Sequence, residues 1–196
     1  MSAPVITLSL TPPDIDREQV LRFMGQPSDA PDEVLSVLDE CIAEARECFV
    51  YKVCFAQMPV SAGQDTVDMT FATVHSHNLA SRLVGCRSAV IFGSTVGLGI
   101  DRLINKYSRA MPIKALCMQA IGAERIEALC DAFCEQLKKE GRVIRARYSP
   151  GYGDLDLSFQ REIFKLLDCP RRIGLTLSES LLMLPTKSVS AIVGVE

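Results

Sequence analysis

Histidine and paired cysteines are scarce in this sequence. Its 196 residues include two histidines, and no two of the eight cysteines form a Cys-x-x-Cys pair. A structural zinc or iron–sulfur site is therefore not expected, and the lack of a recognisable secretion signal makes disulfides equally unexpected. We interpret the cysteines as small hydrophobic residues of a protein in a reducing compartment.

A basic excess is also missing. Lys and Arg number 21 against 24 Asp and Glu, which gives a net charge of −3 and a pI near 5.5. These values argue against a nucleic acid or a membrane surface as partner. The first residues lack the charged start and apolar run of a signal peptide, and no apolar run approaches the ~20 residues that span a bilayer. We expect a cytoplasmic protein.

The motifs of several enzyme classes are absent. The sequence contains no Gly-x-Ser-x-Gly elbow and no dinucleotide-binding fingerprint, so an independent hydrolase or oxidoreductase activity has little support. His75 and His77 would share one face of a strand, as metal ligands can, but no third ligand accompanies them, and we interpret them as surface residues. The segment 92–99 is rich in glycine but matches no phosphate-binding motif, so we expect its glycines to allow close packing.

What is present is the pattern of a globular α+β domain. Apolar residues make up 48% of the chain and charged residues 23%, and this length can bury a core of its own. We predict a twisted, mostly antiparallel β-sheet with helices packed on it. The segments predicted as helices are 16–24, 32–48, 78–84, 99–109, 113–140 and 159–167. The segments predicted as strands are 1–12, 48–59, 66–74, 86–97, 142–148, 180–184 and 188–195, the last two joined as a hairpin.

The long predicted helix has an acidic side. Glu124, Glu127, Asp131 and Glu135 recur mostly at a spacing of four residues, which places them on roughly one face. The simplest interpretation is a solvated acidic face. Glu135, the most C-terminal of the four, is also a candidate ligand contact.

The most unusual stretch in composition is Ser149-Pro150-Gly151-Tyr152-Gly153, which follows two arginines. Proline fixes one backbone dihedral and biases the preceding serine towards an extended conformation. The two glycines let a ligand approach the main chain and expose its N–H and C=O groups. Arg147 can bind a carboxylate bidentately, and the tyrosine offers an aromatic face and a hydroxyl. The loop suits a ligand with a carboxylate, an amine, a positive centre and an aromatic base; a purely structural loop is the alternative.

The same loop begins a longer pattern. Arg147 and Pro-Gly-Tyr are followed by a short helix, the blocks LSES, MLP and SVS, and a final strand. In this order and spacing the chain resembles the S-adenosylmethionine-binding activation (reactivation) domain of vitamin B12-dependent methionine synthase. The resemblance covers about residues 89–195. It suggests an activation-domain-like core at 86–196 with the S-adenosylmethionine loop at 145–153, and residues 1–85 as an N-terminal helical and strand segment of the same domain.

This resemblance implies a role in the repair of a corrinoid cofactor. In the family, S-adenosylmethionine is brought to oxidised cobalamin, and one electron from a reduced flavoprotein together with the sulfonium methyl group regenerates methylcobalamin. The family pattern implies that Arg147, Ser149, Gly151 and Tyr152 hold S-adenosylmethionine, partly through the main chain. Glu135 would meet its amino or ribose end. No catalytic residue and no metal ligand is implied.

Departures from the family pattern narrow the expected role. The sequence lacks both the Asp-x-His-x-x-Gly motif of cobalamin proteins and a cysteine triad for zinc, so it does not encode a complete methionine synthase. Cobalamin would come from a separate corrinoid protein, and this chain would be at most the activation subunit of that methyltransferase. It also lacks tyrosine and acidic contacts of longer family members. A docking or assembly module that has lost ligand binding is therefore the alternative.

Overall fold

The computed structural model describes residues 4–196, which form an α+β fold with an antiparallel sheet, as predicted. The strands are β1 (Ile6–Leu8), β2 (Lys52–Ala62), β3 (Thr66–Met69), β4 (Ala72–His75), β5 (Ser88–Thr95), β6 (Thr176–Leu177), β7 (Met183–Leu184) and β8 (Ser188–Val195). The α-helices are α1 (Arg17–Phe23), α2 (Asp32–Ala45), α3 (His77–Leu83), α4 (Gly99–Tyr107), α5 (Pro112–Lys139), α6 (Gln160–Leu167) and α7 (Cys169–Ile173). The strand predicted over 1–12 starts outside the described residues, and only β1 is formed within the rest of it.

The main sheet has the strand order β4-β3-β2-β5-β8. The long strand β2 pairs with β5 along one edge and with β1 and β3 along the other. β8 pairs with β5 along its whole length, with Ser188 opposite Thr95 and Val195 opposite Ser88, and forms the outer edge of the sheet. Strands from residues 1–85 and from 86–196 therefore lie side by side in one sheet.

Helices cover both faces of this sheet. Side chains alternate along a strand, so each strand contributes to two hydrophobic clusters. Phe55, Phe92 and Val193 belong to the cluster that α1, α2, α4 and α5 complete, whereas Ile91 and Ile192 belong to the cluster of α3, α6 and α7. Burial on both faces explains why the central parts of β2, β5 and β8 carry consecutive apolar residues instead of alternating.

The 28-residue helix α5 is the main support of the first face. Proline in its first turn leaves no hydrogen bond unmade, and Gly141 follows its end with a φ of +86°, where a side chain would be strained. Phe133 packs against Phe55 and Phe92, with ring centroids 5.1 and 5.0 Å apart. The predicted apolar stripe of this helix is buried and consists of Ile126, Leu129, Cys130, Phe133 and Leu137.

A buried ion pair on α5 holds the segment between β1 and α1 (residues 9–16), which we call the N-terminal arm. The side chains of Glu124 and Arg125 are 4% and 3% exposed, and they bond to each other at 2.5 Å. Arg125 also donates to the main-chain carbonyls of Pro13 at 2.6 Å and Asp14 at 3.1 Å. The prediction that Glu124 lies on a solvated acidic face is therefore wrong. Helical spacing alone could not reveal it, because burial depends on the counter-charge that the adjacent arginine supplies.

The C-terminal strands pair differently from the prediction. The hairpin predicted between 180–184 and 188–195 is wrong, because Met183–Leu184 pairs with Thr176–Leu177 while β8 pairs with β5. The predicted single strand 66–74 is the hairpin of β3 and β4. β-Propensity indicates an extended chain but does not identify its partner.

The segment before the predicted loop also differs. Residues 142–148 do not form a continuous strand; Ile144 and Tyr148 make isolated bridges to Val195 and Ile192 of β8. The segment thus covers only part of the outer edge of the sheet. No helix within residues 4–196 combines the length and the apolar character needed to cross a lipid bilayer.

Candidate functional site

A pocket of about 430 Å³ lies where the 147–152 loop meets the outer edge of the sheet. We call it the loop pocket. The loop, the start of α6 and the segment from β7 to β8 all contribute to its lining. Its size falls within the range of ~300–1,000 Å³ that is typical of small-molecule sites. The lining includes Arg147, Ser149, Tyr152, Gln160, Met183 and Ser190.

The loop itself is a compact turn. Gly151 has a φ of +92°, and its N–H donates to the carbonyl of Leu155 at 2.8 Å. The N–H of Tyr152 donates to the carbonyl of Ser149 at 3.2 Å. The N–H groups of Gly151 and Tyr152 are therefore not exposed to a ligand, contrary to the prediction for this part of the loop, because the left-handed conformation of Gly151 turns the chain back onto its own acceptors. Gly151 shapes the turn, and the loop pocket is lined by its neighbours.

Tyr148 fastens the loop to the sheet. Its N–H donates to the carbonyl of Ile192 at 2.9 Å, and its hydroxyl donates to the carbonyl of Tyr152 at 2.9 Å. The guanidinium of Arg82 lies 4.8 Å from the centre of its ring. Gly153 makes room for the Tyr148 hydroxyl, because an added Cβ would lie 2.5 Å from it. The residue also has a φ of +55°, which favours glycine.

Asp154 anchors the other end of the loop to α3. Its carboxylate accepts a hydrogen bond from the hydroxyl of Ser76 at 2.5 Å and another from the N–H of His77 at 2.7 Å. These bonds favour the charged carboxylate, with the Ser76 hydroxyl as the main cause, and so lower the pKa of Asp154. The loop is thus held at both ends before any ligand binds.

Arg147 connects the loop to α5. Its guanidinium donates to the carboxylates of Glu127 and of Asp131, the latter at 2.5 Å. The side chain is one quarter exposed and lines the loop pocket together with Glu127. Arg147 and its two carboxylate partners carry a net charge of −1, whereas Arg82, which also lines the pocket, adds a positive charge. The pocket therefore offers a carboxylate to a positive ligand group and a guanidinium to a negative one.

The structure brings three of the five predicted site residues together. Arg147, Ser149 and Tyr152 line the loop pocket, and the tyrosine is 66% exposed, so its ring is open to stacking. Gly151 forms the turn between them. Glu135 lies in an adjoining groove of about 520 Å³ that it shares with Arg147, and its carboxylate bonds to Lys138 at 2.6 Å. The role of each residue towards a ligand stays a prediction.

Two polar residues of the loop pocket were not predicted. Gln160 and Ser190 are 5% and 2% exposed, and neither the Oε1 of the glutamine nor the Oγ of the serine has a hydrogen-bond partner within the described chain. Ser190 belongs to the SVS block of the family pattern, which was a usable signal. A single glutamine at the start of an amphipathic helix carries no such signal, since its burial is a property of the tertiary fold.

The open main-chain groups are found on β8 rather than in the loop. Ile192 exchanges both of its main-chain hydrogen bonds with Tyr148 on the outer edge of the sheet. Because residues two apart along an antiparallel strand point their main-chain groups to the same side, Ser190 turns its N–H and C=O groups to that edge. The last strand of the sheet therefore presents an open main-chain edge beside the loop, which the sequence did not indicate.

The other sequence candidates have structural explanations. His75 ends β4 whereas His77 begins α3, so they do not alternate along one strand; His77 bonds to Asp65, which raises the pKa of this histidine. Among residues 4–196 no group of three or more potential ligands could hold a metal ion. In the glycine-rich segment, an added Cβ at Gly97 would lie 3.1 Å from Val50, which fits a role in close packing.

The cysteines are free and mostly buried. Cys41, Cys54, Cys117, Cys130 and Cys169 are buried, and the other three are half-buried. Burial raises the pKa of Cys130 to about 12, so this thiol stays protonated at neutral pH. This pattern is typical of cysteine used as a small hydrophobic residue.

Comparisons with known proteins find one matching family model and solved structures with a similar fold. Residues 141–196, which contain the loop, α6, α7 and β8, match the family model described as the activation domain of vitamin B12 dependent methionine synthase. The whole fold is similar to a crystal structure of the MetH reactivation domain bound to AdoHcy, with a TM-score of 0.72 and 13% sequence identity. That similarity covers 98% of this chain and 78% of the other. No protein of curated function matches the sequence. The predicted resemblance is thus confirmed: residues 141–196 carry the sequence signature, and the chain the fold, of the methionine synthase activation domain.

Proposed function

We propose that this chain binds S-adenosylmethionine in the loop pocket and supports the reductive remethylation of cob(II)alamin on a separate corrinoid protein. The observation that carries the proposal is the convergence of Arg147, Ser149 and Tyr152 on one pocket. All three lie within the segment that matches the activation-domain family. A structurally similar reactivation domain has been crystallised with AdoHcy, which supports the choice of ligand.

The charges of the pocket suit this ligand. S-adenosylmethionine carries a sulfonium, an ammonium and a carboxylate, and therefore a net charge of +1, opposite to that of the Arg147–Glu127–Asp131 cluster. We propose that the guanidinium takes the ligand carboxylate. Glu135, in the adjoining groove, would be reached by the amino or ribose end where it extends past Arg147. Tyr152 would stack on the base.

The chemistry would require a partner. One electron from a reduced flavoprotein and the methyl group of the sulfonium would convert cob(II)alamin to methylcobalamin, with release of S-adenosylhomocysteine. In this scheme the present chain binds and orients the methyl donor, and the corrinoid protein, a methionine synthase or a relative, supplies the cobalt. The free thiols of all eight cysteines support a reducing compartment such as the cytoplasm.

Calorimetric titration with S-adenosylmethionine tests the binding step. We expect saturable binding to the wild-type chain. Tyr152→Ala should weaken it roughly tenfold or more, because stacking of a base on an aromatic ring is lost. Tyr152→Phe is the matched control: it keeps the aromatic face and should bind within a few fold of wild type. Absence of binding to the wild-type chain at millimolar ligand, also with a corrinoid partner present, would refute the proposal.

A docking or assembly role without a ligand is the second candidate. It is favoured by the internal hydrogen bonds of the loop N–H groups and by the two carboxylates already paired with Arg147. The two candidates differ in one measurable respect. Capture of a corrinoid protein that is indifferent to S-adenosylmethionine would select the docking role, whereas capture that the ligand strengthens would select the activation role.

A further inference from the structure

Two buried polar atoms in the loop pocket lack a partner in the protein. They are Oε1 of Gln160, at the first residue of α6, and Oγ of Ser190, on β8. Both residues are more than nine-tenths buried and both line the loop pocket. Buried polar atoms are nearly always hydrogen-bonded, because leaving one without a partner destabilises the folded chain. Two such atoms in one pocket indicate that a ligand is their partner.

The position of these atoms indicates which part of a ligand they meet. The charged residues that line the pocket are Arg82, Arg147 and Glu127, whereas Gln160 and Ser190 are uncharged and line it together with Met183. A charged ligand group would gain most beside the charged residues. An uncharged, flat group with hydrogen-bonding edges fits best against Gln160, Ser190 and Met183, which offer neutral polar atoms and apolar contact together.

We propose that Gln160 and Ser190 recognise the amino edge of adenine. This inference rests on the proposed function, because it assigns the base of the adenosyl ligand to one side of the loop pocket. A carboxamide can accept a hydrogen bond from the exocyclic amino group of adenine and donate one to N7. Guanine and hypoxanthine cannot reproduce this pairing, because their O6 and N7 atoms are both acceptors. Ser190 can bond to a further edge atom through its hydroxyl or through the N–H and C=O groups that it turns to the open edge of the sheet. The pair makes the pocket specific for a 6-amino purine.

Selectivity between two ligands tests this assignment. The probes are S-adenosylhomocysteine and its deaminated counterpart S-inosylhomocysteine, which differ in the base only, and free adenosine as a third ligand. We expect the wild-type chain to prefer the adenosyl ligand by about tenfold or more, because an oxygen at position 6 cannot donate to the glutamine. Gln160→Met, of similar size, should lose most of this preference, and so should Ser190→Ala in part. Gln64→Met, at an exposed position, is the matched control and should keep it.

Thermal unfolding of the free chain gives a second readout that does not depend on the ligand. Replacing a glutamine whose buried oxygen lacks a partner by methionine should leave the midpoint unchanged or raise it. A clear fall would show that the amide supports the fold and would overturn the inference.

The remaining outcomes separate the inference from the proposed function. If wild type and Gln160→Met bind S-adenosylhomocysteine equally, with equal selectivity, the inference fails and the proposed function stands. If the chain binds adenosine but not S-adenosylhomocysteine, and Gln160→Met weakens the binding of adenosine, the base assignment holds and the proposed function fails. If none of the three ligands binds, both fail.

Discussion

Gly153 shows how a single residue shapes the loop pocket. Its φ of +55° is open to glycine at little cost, and the missing side chain allows the Tyr148 hydroxyl to reach the carbonyl of Tyr152. That hydrogen bond fixes the residue whose ring we expect to stack on the ligand base. The sequence identified the loop through its unusual composition, and Arg147 and Ser149 with it. Gln160 was not predicted, because no local sequence pattern indicates that a polar residue at the start of an amphipathic helix is buried.

Gly153→Ala should destabilise the protein by about 2 kcal/mol or more, since it adds a left-handed strain of ~1–2 kcal/mol to a clash with Tyr148. The affinity for the ligand should also fall, because Tyr152 loses the hydrogen bond that its carbonyl accepts from the Tyr148 hydroxyl. Gly141→Ala is the matched control: its φ is +86°, but nothing lies within 4 Å of an added Cβ, so only the strain applies. Chemical denaturation measures both. Equal losses for the two variants would show that the loop tolerates the extra methyl group.

At the scale of elements, the loop pocket depends on how separate segments are joined. Helices were predictable where an apolar stripe of helical period runs through many residues, as in α5, because that period is a local property. The pairing of β7 with β6 and of β8 with β5 was not predictable. The sequence of a strand indicates that the chain is extended, but it does not indicate which strand pairs with it. The open edge of β8 follows from that pairing, so it could not be predicted from the sequence.

The contact between the loop and α3 should make stability depend on pH. The pKa of Asp154 is lowered in the folded chain from its ordinary 3.8, so the folded state binds fewer protons than the unfolded state near that pH. Its contribution to stability is present above the ordinary value and is lost as pH falls through the folded value. Between about pH 6 and pH 3 the unfolding midpoint should therefore fall more for wild type than for Asp154→Asn.

The control for this prediction is Asp29→Asn, at an exposed position outside the loop. It should leave the wild-type pH profile nearly unchanged. If Asp154→Asn and wild type lose the same stability on acidification, the carboxylate does not hold the loop to α3.

At the scale of the whole molecule, one sheet joins the N-terminal half of the chain to the segment with the family signature. β2, from the first 85 residues, pairs with β5, which in turn pairs with β8 at the edge of the loop pocket. The fold class was predictable from composition and periodicity, and the family from one loop and the blocks after it. Tyr152, which lines the loop pocket, is 66% exposed, and Leu182, next in sequence to the lining residue Met183, is 70% exposed.

We expect the immobilised chain to capture a corrinoid protein, and S-adenosylmethionine to increase the amount captured. The physical reason is that the methyl donor and the cobalt must meet, so the ligand and the partner share one surface. Leu182→Asp should reduce capture while leaving the calorimetric affinity for S-adenosylmethionine unchanged. Undiminished capture by this variant would place the partner on another face of the molecule.

A crystal structure of the chain with S-adenosylhomocysteine would show directly whether the loop pocket is the binding site. We predict ligand density in the loop pocket, with the base against Tyr152 and the amino-acid end at Arg147. A larger groove of about 870 Å³ between the N-terminal arm and α5 offers the ligand another place, and Glu135 lines it too. Density in that groove, with the loop pocket unchanged from the free chain, would contradict the account.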